Sequence, residues 1–349
     1  MFKRLNFKFP ESAIISSVFL LIVISNFVLH SISKNLFPGY YLYVVTALII
    51  FYIFLKIDFE VLLAFSKHLY FLGILFLIIT LIIGQVTRGS IRWIPLGSIA
   101  FQPSEIFRSF ILLYIAKYAT EKEINAKRFF KLIIYVVIPF LLILIQPSLG
   151  VALITGVGFL GIILATSIDK KLLIYGFMIL IFTIPFSWFL LEPYQQQRVR
   201  TFLNPYNDPL GAGYNSIQST ISVGSGKIFG RGLGQGIQTQ LAYLPEKHTD
   251  FIFAAISEEL GFLGASLTLI SFLVIFLFMV KIIDNPRNIT ARVFVSGVFF
   301  IFLSQTFIHI GMNMGIVPIT GLPLPFVSAG GSALVGSFIL MAIAIKAKK

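Results

Sequence analysis

Ten apolar runs, each close to the length that crosses a bilayer, leave this chain few other ways to fold. They lie near residues 12–33, 40–56, 62–84, 103–119, 129–146, 149–166, 171–191, 251–280, 291–314 and 327–346. About 20 apolar residues span the hydrocarbon core, so ten such segments use up most of the 349 residues. Only 12% of residues are charged and 57% are hydrophobic, whereas a soluble domain is about one quarter charged. With no cysteine in the chain, a disulfide scaffold and a Cys-ligated metal site are excluded. The expected fold is an all-α polytopic integral membrane protein with about ten transmembrane helices, forming one domain over residues 1–349.

A net charge of +13 would suggest a nucleic-acid binder in a soluble protein. Here its placement matters more than its size. Lys3, Arg4 and Lys8 precede the first run and no small-residue cleavage site follows it, so that run reads as an uncleaved first helix. With the N-terminus inside, the cytoplasmic ends collect Lys56, Lys117, Lys131, Lys170, Lys281, Arg292 and Lys346, among others. The short outer loops hold only Lys34, Arg88 and Arg92. That asymmetry follows the positive-inside pattern. It places both termini in the cytoplasm and makes membrane lipids, not nucleic acid, the surroundings.

Two connections are long, Gln85–Gln102 and Glu192–Asp250, and both fall on the outer side. Loops of that length are usually functional or disordered. The second mixes Tyr, Phe, Leu and Ile with Gly and Pro, and Ile217, Ile221, Val223, Ile228 and Phe229 suggest short amphipathic pieces on the membrane. Chemistry, if present, therefore faces outward. Gln102-Pro103-Ser104 and Gln146-Pro147-Ser148 echo each other, but Pro suits any helix start, so shared cap chemistry explains the match.

Several residues are candidates for function. Glu105 and Arg108 share a helix face three positions apart. They read either as a functional intramembrane pair or as a structural ion pair. Gln305, His309 and Asn313 recur every four residues as one polar stripe, which fits interhelical hydrogen bonding better than catalysis by His309. The stretch 315–331 holds Pro318, Pro323 and Pro325 and cannot be a continuous helix. At membrane depth such backbone survives only when buried in protein or lining a wet cavity; otherwise it is an ordinary outer loop.

The glycine-rich stretch 224–236 fails the Walker spacing, with Ile at 221 and 228. Its exposed N–H groups, with Lys227 and Arg231, could contact a lipid-linked diphosphate; the alternative is a hinge at the interface. Lys247, His248, Thr249 and Asp250 stand just before an apolar helix. Asp250 could cap that helix, or stand as a carboxylate at the mouth of the bundle and act as a general base. Glu258 lies eight residues on, roughly on the same face and about 12 Å deeper.

Arg92-Trp93-Ile94-Pro95-Leu96-Gly97, Gln102-Pro103-Ser104-Glu105, Gln146-Pro147-Ser148-Leu149-Gly150 and Pro245-Glu246-Lys247-His248-Thr249-Asp250-Phe251-Ile252-Phe253 occur in order. Gly321-Leu322-Pro323-Leu324-Pro325-Phe326-Val327-Ser328, with Gly330-Gly331, completes the set. Together they resemble the SEDS family of bacterial shape, elongation, division and sporulation proteins over nearly the whole chain. Residues 202–214 and Gln238-Thr239-Gln240 are similar to the RodA-like elongation branch, with the division and sporulation branches as alternatives. Arg108 stands where the family usually has Lys, and Ala329 where it has Tyr.

The resemblance implies the SEDS fold and a peptidoglycan glycosyltransferase that polymerises lipid II on the outer face of the bacterial cytoplasmic membrane. It also implies a class B penicillin-binding protein as transpeptidase partner, beside other membrane proteins of the elongation complex. The family's essential loop Asp maps onto Asp250, its loop Trp onto Trp93, and its intramembrane acid and base onto Glu105 and Arg108. Lys227, Arg231, Lys247, His248, Glu258 and Ser328 complete the expected substrate-binding set. A divalent cation, Mg or Mn, could assist a diphosphate departure, but no ligand cluster marks a metal site. A lipid II flippase and a non-catalytic scaffold are the rival readings.

Overall fold

The computed structural model describes residues 11–348 apart from 88–89, 97–98, 167–173, 175–177, 179–187 and 190. The helices among them are α1 (Glu11–Ile32), α2 (Gly39–Lys56), α3 (Phe59–Ile83), α4 (Pro103–Thr120), α5 (Ala126–Ile145) and α6 (Leu149–Ala165). After the segment that contains the expected run at 171–191, which falls largely outside the described residues, come α7 (Pro193–Leu203), α8 (Tyr214–Ser225) and α9 (Ile237–Gln240). The long helices α10 (Ile252–Asp284), α11 (Ile289–Asn313) and α12 (Gly331–Lys346) close the chain. α1, α2, α3, α5, α10 and α11 are long and apolar enough to cross a membrane, and α6 and α12 are shorter apolar helices. The last helix starts at Gly331, not 327, because Pro323 and Pro325 and the glycine pair hold the preceding stretch irregular.

Polarity is distributed as a bilayer requires. Phe19, Phe27, Tyr52, Phe65, Ile82 and Phe262 are exposed, while Ser25, Glu105, Arg108, Gln305, His309 and Asn313 are buried. Lipid tails solvate the apolar exterior, so polar side chains serve to hold helices together inside. Small residues let α6 and α11 approach closely. A Cβ on Gly158 would meet Ile301 at 2.7 Å, and one on Gly297 would meet Ile162 at 2.8 Å.

The two ends of the bundle differ. At one, Asp58 caps α3 through the Glu60 amide and pairs with Arg287 at 2.7 Å. That amide, and next the Arg287 guanidinium, hold the Asp58 carboxyl below its usual range. The other end is loop-rich. The connection 85–102, expected as a loop, folds there as an antiparallel meander of β1 (Gln85–Thr87), β2 (Ser90–Leu96) and β3 (Ile99–Phe101). Trp93 pairs with Gln85, and Ile94 with Phe101. Ile91, Trp93 and Ile94 are residue types that favour a strand, and β2 packs against α3 and α4.

Helix α10 breaks at Gly261, whose φ of 67° is the left-handed region open to glycine. The break leaves two helical rungs unmade, and the glycine-rich loop fills both. Phe262 and Leu263 donate their amides to the carbonyls of Lys227 and Ile228. The carbonyls of Glu258 and Glu259 accept instead from Arg231 and Gly232. The loop is thereby stitched into a transmembrane helix by main-chain bonds.

Candidate active site at the loop-rich end

The polar stripe of α11 organises this end. Gln305 donates to the Pro323 carbonyl at 2.8 Å, and His309 Nδ1 bonds the Leu322 carbonyl at 2.7 Å. Asn313 donates to the Asp250 carbonyl at 3.0 Å and accepts the Ala254 amide at 3.0 Å. One face of one helix thus clamps both the irregular stretch 315–330 and the start of α10. Backbone polar groups that a broken segment would leave unpaired find partners on buried side chains. His309 is a bundle contact, as the spacing suggested.

Asp250 lies in a tight turn. The Glu246 carbonyl accepts amides from Thr249, Asp250 and Phe251, and Glu246 itself sits at φ 51°. Ser328, almost wholly buried, donates to the Thr249 carbonyl at 2.7 Å and accepts the Leu324 amide at 2.8 Å. The Ala329 amide donates to the His248 carbonyl. The helix cap position belongs to Phe251, which makes no side-chain cap bond. Asp250 is therefore one residue outside the helix, half-buried on a turn fixed from both sides. Its Oδ2 approaches Gly321, where an added Cβ would stand 3.4 Å away; the same Cβ would lie 3.9 Å from Arg198 Nη1.

The other expected site residues separate into distinct groups. Glu105 and Arg108 form a buried ion pair at 2.9 Å on α4. Arg108 Nε and Nη1 have no hydrogen-bond partner among the described residues. Trp93 is half-buried on β2, which packs against α3 and α4. Glu258 is wholly buried, and its carboxylate accepts the amides of Gln238 and Thr239 at 2.9 and 3.0 Å. The carboxylate thus sits at the N-terminus of the short helix α9. Glu259 likewise accepts from Ser31 and Gln240.

In the glycine-rich stretch, the Arg231 and Gly232 amides are spent on the broken helix. Lys227 and Arg231 are exposed, and Arg231 Nε donates to Ser225 Oγ at 3.3 Å. Lys247 donates to the Thr239 carbonyl. Burial pushes its ammonium below the usual lysine value, while Glu259 and Glu258 pull the other way.

Arg198, another cation of the long connection, also stands at this end. It borders a cavity of ≈ 330 Å³ that Tyr194, Thr201, Ser216 and Ile319 also line. Its neighbours come from α7, α8 and the stretch 315–330, so no local sequence signal could have assembled them. Among the described residues no group of three or more His, Asp or Glu side chains is placed to hold a metal ion.

A bundle with an apolar exterior and a polar interior defines a polytopic membrane protein, here with a half-buried carboxylate on a locked turn at its loop-rich end. The cell cycle protein family of FtsW, RodA and SpoVE matches residues 12–349, and the chain belongs to that family. It is 36% identical to the peptidoglycan glycosyltransferase MrdB of Escherichia coli (strain K12) over 280 residues, 79% of this chain and 75% of that protein. It is also 36% identical over 314 residues to the probable peptidoglycan glycosyltransferase FtsW of Buchnera aphidicola, 87% of this chain and 82% of that protein.

Among solved structures, a chain of a peptidoglycan synthase complex superposes with a TM-score of 0.81 at 27% identity, covering 97% of each chain. The rod shape determining protein RodA of Thermus thermophilus superposes with a TM-score of 0.73 at 21% identity, covering 98% of this chain and 97% of that one. The latter bears on the fold alone.

Proposed function

We propose that this protein is a peptidoglycan glycosyltransferase of the elongation type that polymerises lipid II at the outer face of the bacterial cytoplasmic membrane. Asp250 is the general base. It takes the proton from the acceptor GlcNAc 4-hydroxyl, and that oxygen attacks the donor MurNAc anomeric carbon. The new C–O bond forms as the bond to the diphosphate oxygen breaks, the electron pair leaves with polyprenyl diphosphate, and the configuration inverts. What supports this most is the Asp250 turn, a half-buried carboxylate whose main chain is held by Asn313 and Ser328. Pre-organisation of that kind keeps a base in place without reorganisation during the reaction.

The remaining residues take supporting roles. Ser328 and His248 fix the turn, while Glu105 and Arg108 pair within α4 as the expected intramembrane acid and base. Trp93 presents its ring from the meander. A divalent ion such as Mg or Mn would arrive with the diphosphate, whose oxygens are hard ligands. The positive-inside pattern puts both termini in the cytoplasm. A class B penicillin-binding protein as partner is supported by the similarity to a chain of a synthase complex.

The test is a gel assay of the purified protein with lipid II, alone and with the candidate transpeptidase. Glycan polymer is expected in a reaction that needs only the transferase. Movement of labelled lipid II across liposomes with no polymer would instead make the protein a flippase.

A further inference from the structure

We infer that Arg198, together with the cavity it borders, holds the diphosphate of the lipid-linked donor. This rests on the glycosyltransferase reading and assigns one cation to the leaving group.

The sequence offers five cations on the long connection, Arg198, Arg200, Lys227, Arg231 and Lys247. The structure sorts them. Lys247 is turned toward the Thr239 carbonyl and the buried Glu258–Glu259 pair. Lys227 and Arg231 belong to the loop stitched into the kink of α10. Arg200 stacks over the Trp188 ring at 5.9 Å. Arg198 alone among these is shown converging with Asp250, since both approach the same face of Gly321. Carboxylate and guanidinium are therefore separated by no more than the sum of 3.4 and 3.9 Å. Both charged groups thus face one shared space beside Gly321.

The local chemistry fits an anion. Arg198 Nη1 donates to the Ile319 carbonyl at 3.2 Å, and the Tyr194 ring lies 5.8 Å from its guanidinium carbon. These contacts orient the plane but use few of its five N–H donors. A guanidinium held this way can meet phosphate oxygens with two parallel bonds. Thr201 and Ser216 hydroxyls and the Gln197 amide line the adjoining cavity, and Val317 and Ile319 supply an apolar wall. At ≈ 330 Å³ the space is at the small end of ligand pockets, which run from about 300 to 1,000 Å³. Gly321, at φ 71°, keeps the passage between the two charged groups clear of a side chain. As the anomeric bond breaks, negative charge grows on the diphosphate, and a fixed cation there stabilises the departure.

The experiment uses the full-length protein in nanodiscs with farnesyl diphosphate and farnesyl monophosphate as soluble probes. Wild type, Arg198→Gln, Arg198→Lys and Asp250→Asn are titrated, and each is assayed for polymer from lipid II. The expected result is a preference for the diphosphate in wild type that falls about tenfold or more in Arg198→Gln, the loss of a charge-assisted contact. Arg198→Lys should keep part of it, because an ammonium retains charge without the fork. Asp250→Asn should bind the diphosphate at least as tightly as wild type while making no polymer. An unchanged diphosphate preference in Arg198→Gln would overturn the assignment of Arg198. Polymer made by Asp250→Asn would overturn the base, and with it the reading on which this assignment rests.

Discussion

At Asn313 a single buried carboxamide joins three parts of the molecule: the Asp250 carbonyl, the Ala254 amide and its own helix at His309. Asn313→Ala leaves the first two without partners, at a cost of about 1–3 kcal/mol for each buried group. Melting in detergent should fall, and polymerisation should lose kcat with little change in KM, because the base moves while lipid contacts stay. The Glu105–Arg108 pair makes a second prediction at this scale. Glu105→Gln strips the partner from a buried guanidinium and should destabilise by about 3–5 kcal/mol, whereas Glu105→Gln with Arg108→Met should regain part of that loss. Equal melting of the two variants would show that the pair adds nothing. Both residues were legible from the three-residue spacing and their intramembrane position. Arg198 was not, because its nearness to Asp250 arises from a tertiary fold-back of 315–330 that no local pattern encodes.

Among the elements, the apolar runs were the clearest part of the sequence, since bilayer thickness sets their length and their interiors must satisfy every backbone group. The place of the glycine-rich loop in the fold was not legible in the sequence. A lone glycine at 261 inside an apolar run looks tolerable, yet it breaks α10 and consumes the loop amides that resembled a phosphate cradle. The meander at 85–102 was missed because its strands are short and two-sided. The kink predicts its own test. A Cβ on Gly261 would stand 2.1 Å from the Gly230 amide nitrogen at a φ that L residues rarely adopt. Gly261→Ala should therefore release the loop, costing about 1–3 kcal/mol of strain and more in lost bonds. Proteolysis should then cut near 226–232 in the variant and spare wild type.

For the whole molecule, topology and pH dependence follow from charge. The chain has no native cysteine, so single substitutions report side directly. Leu210→Cys, on the long connection and highly exposed, should react with a membrane-impermeant maleimide in intact cells. Lys122→Cys, on the connection between α4 and α5, should react only after permeabilisation; the reverse pattern would invert the proposed orientation.

Burial makes Lys247 hold its proton less tightly than the unfolded chain does, with Glu259 and Glu258 only partly offsetting it. Stability therefore rises with pH between its lowered folded value and the ordinary lysine value of 10.5. The gain should be absent in Lys247→Met when both are melted across that alkaline window. A parallel pair of curves would refute it.

The base itself is tested most directly by Asp250→Asn, purified to the same melting temperature as wild type and given lipid II. Replacing the half-buried carboxylate by its isosteric amide leaves the Asn313 and Ser328 bonds to the main chain intact, so the fold should persist. No glycan ladder is expected from this variant while wild type makes one; a ladder of normal length and rate would remove Asp250 from the reaction.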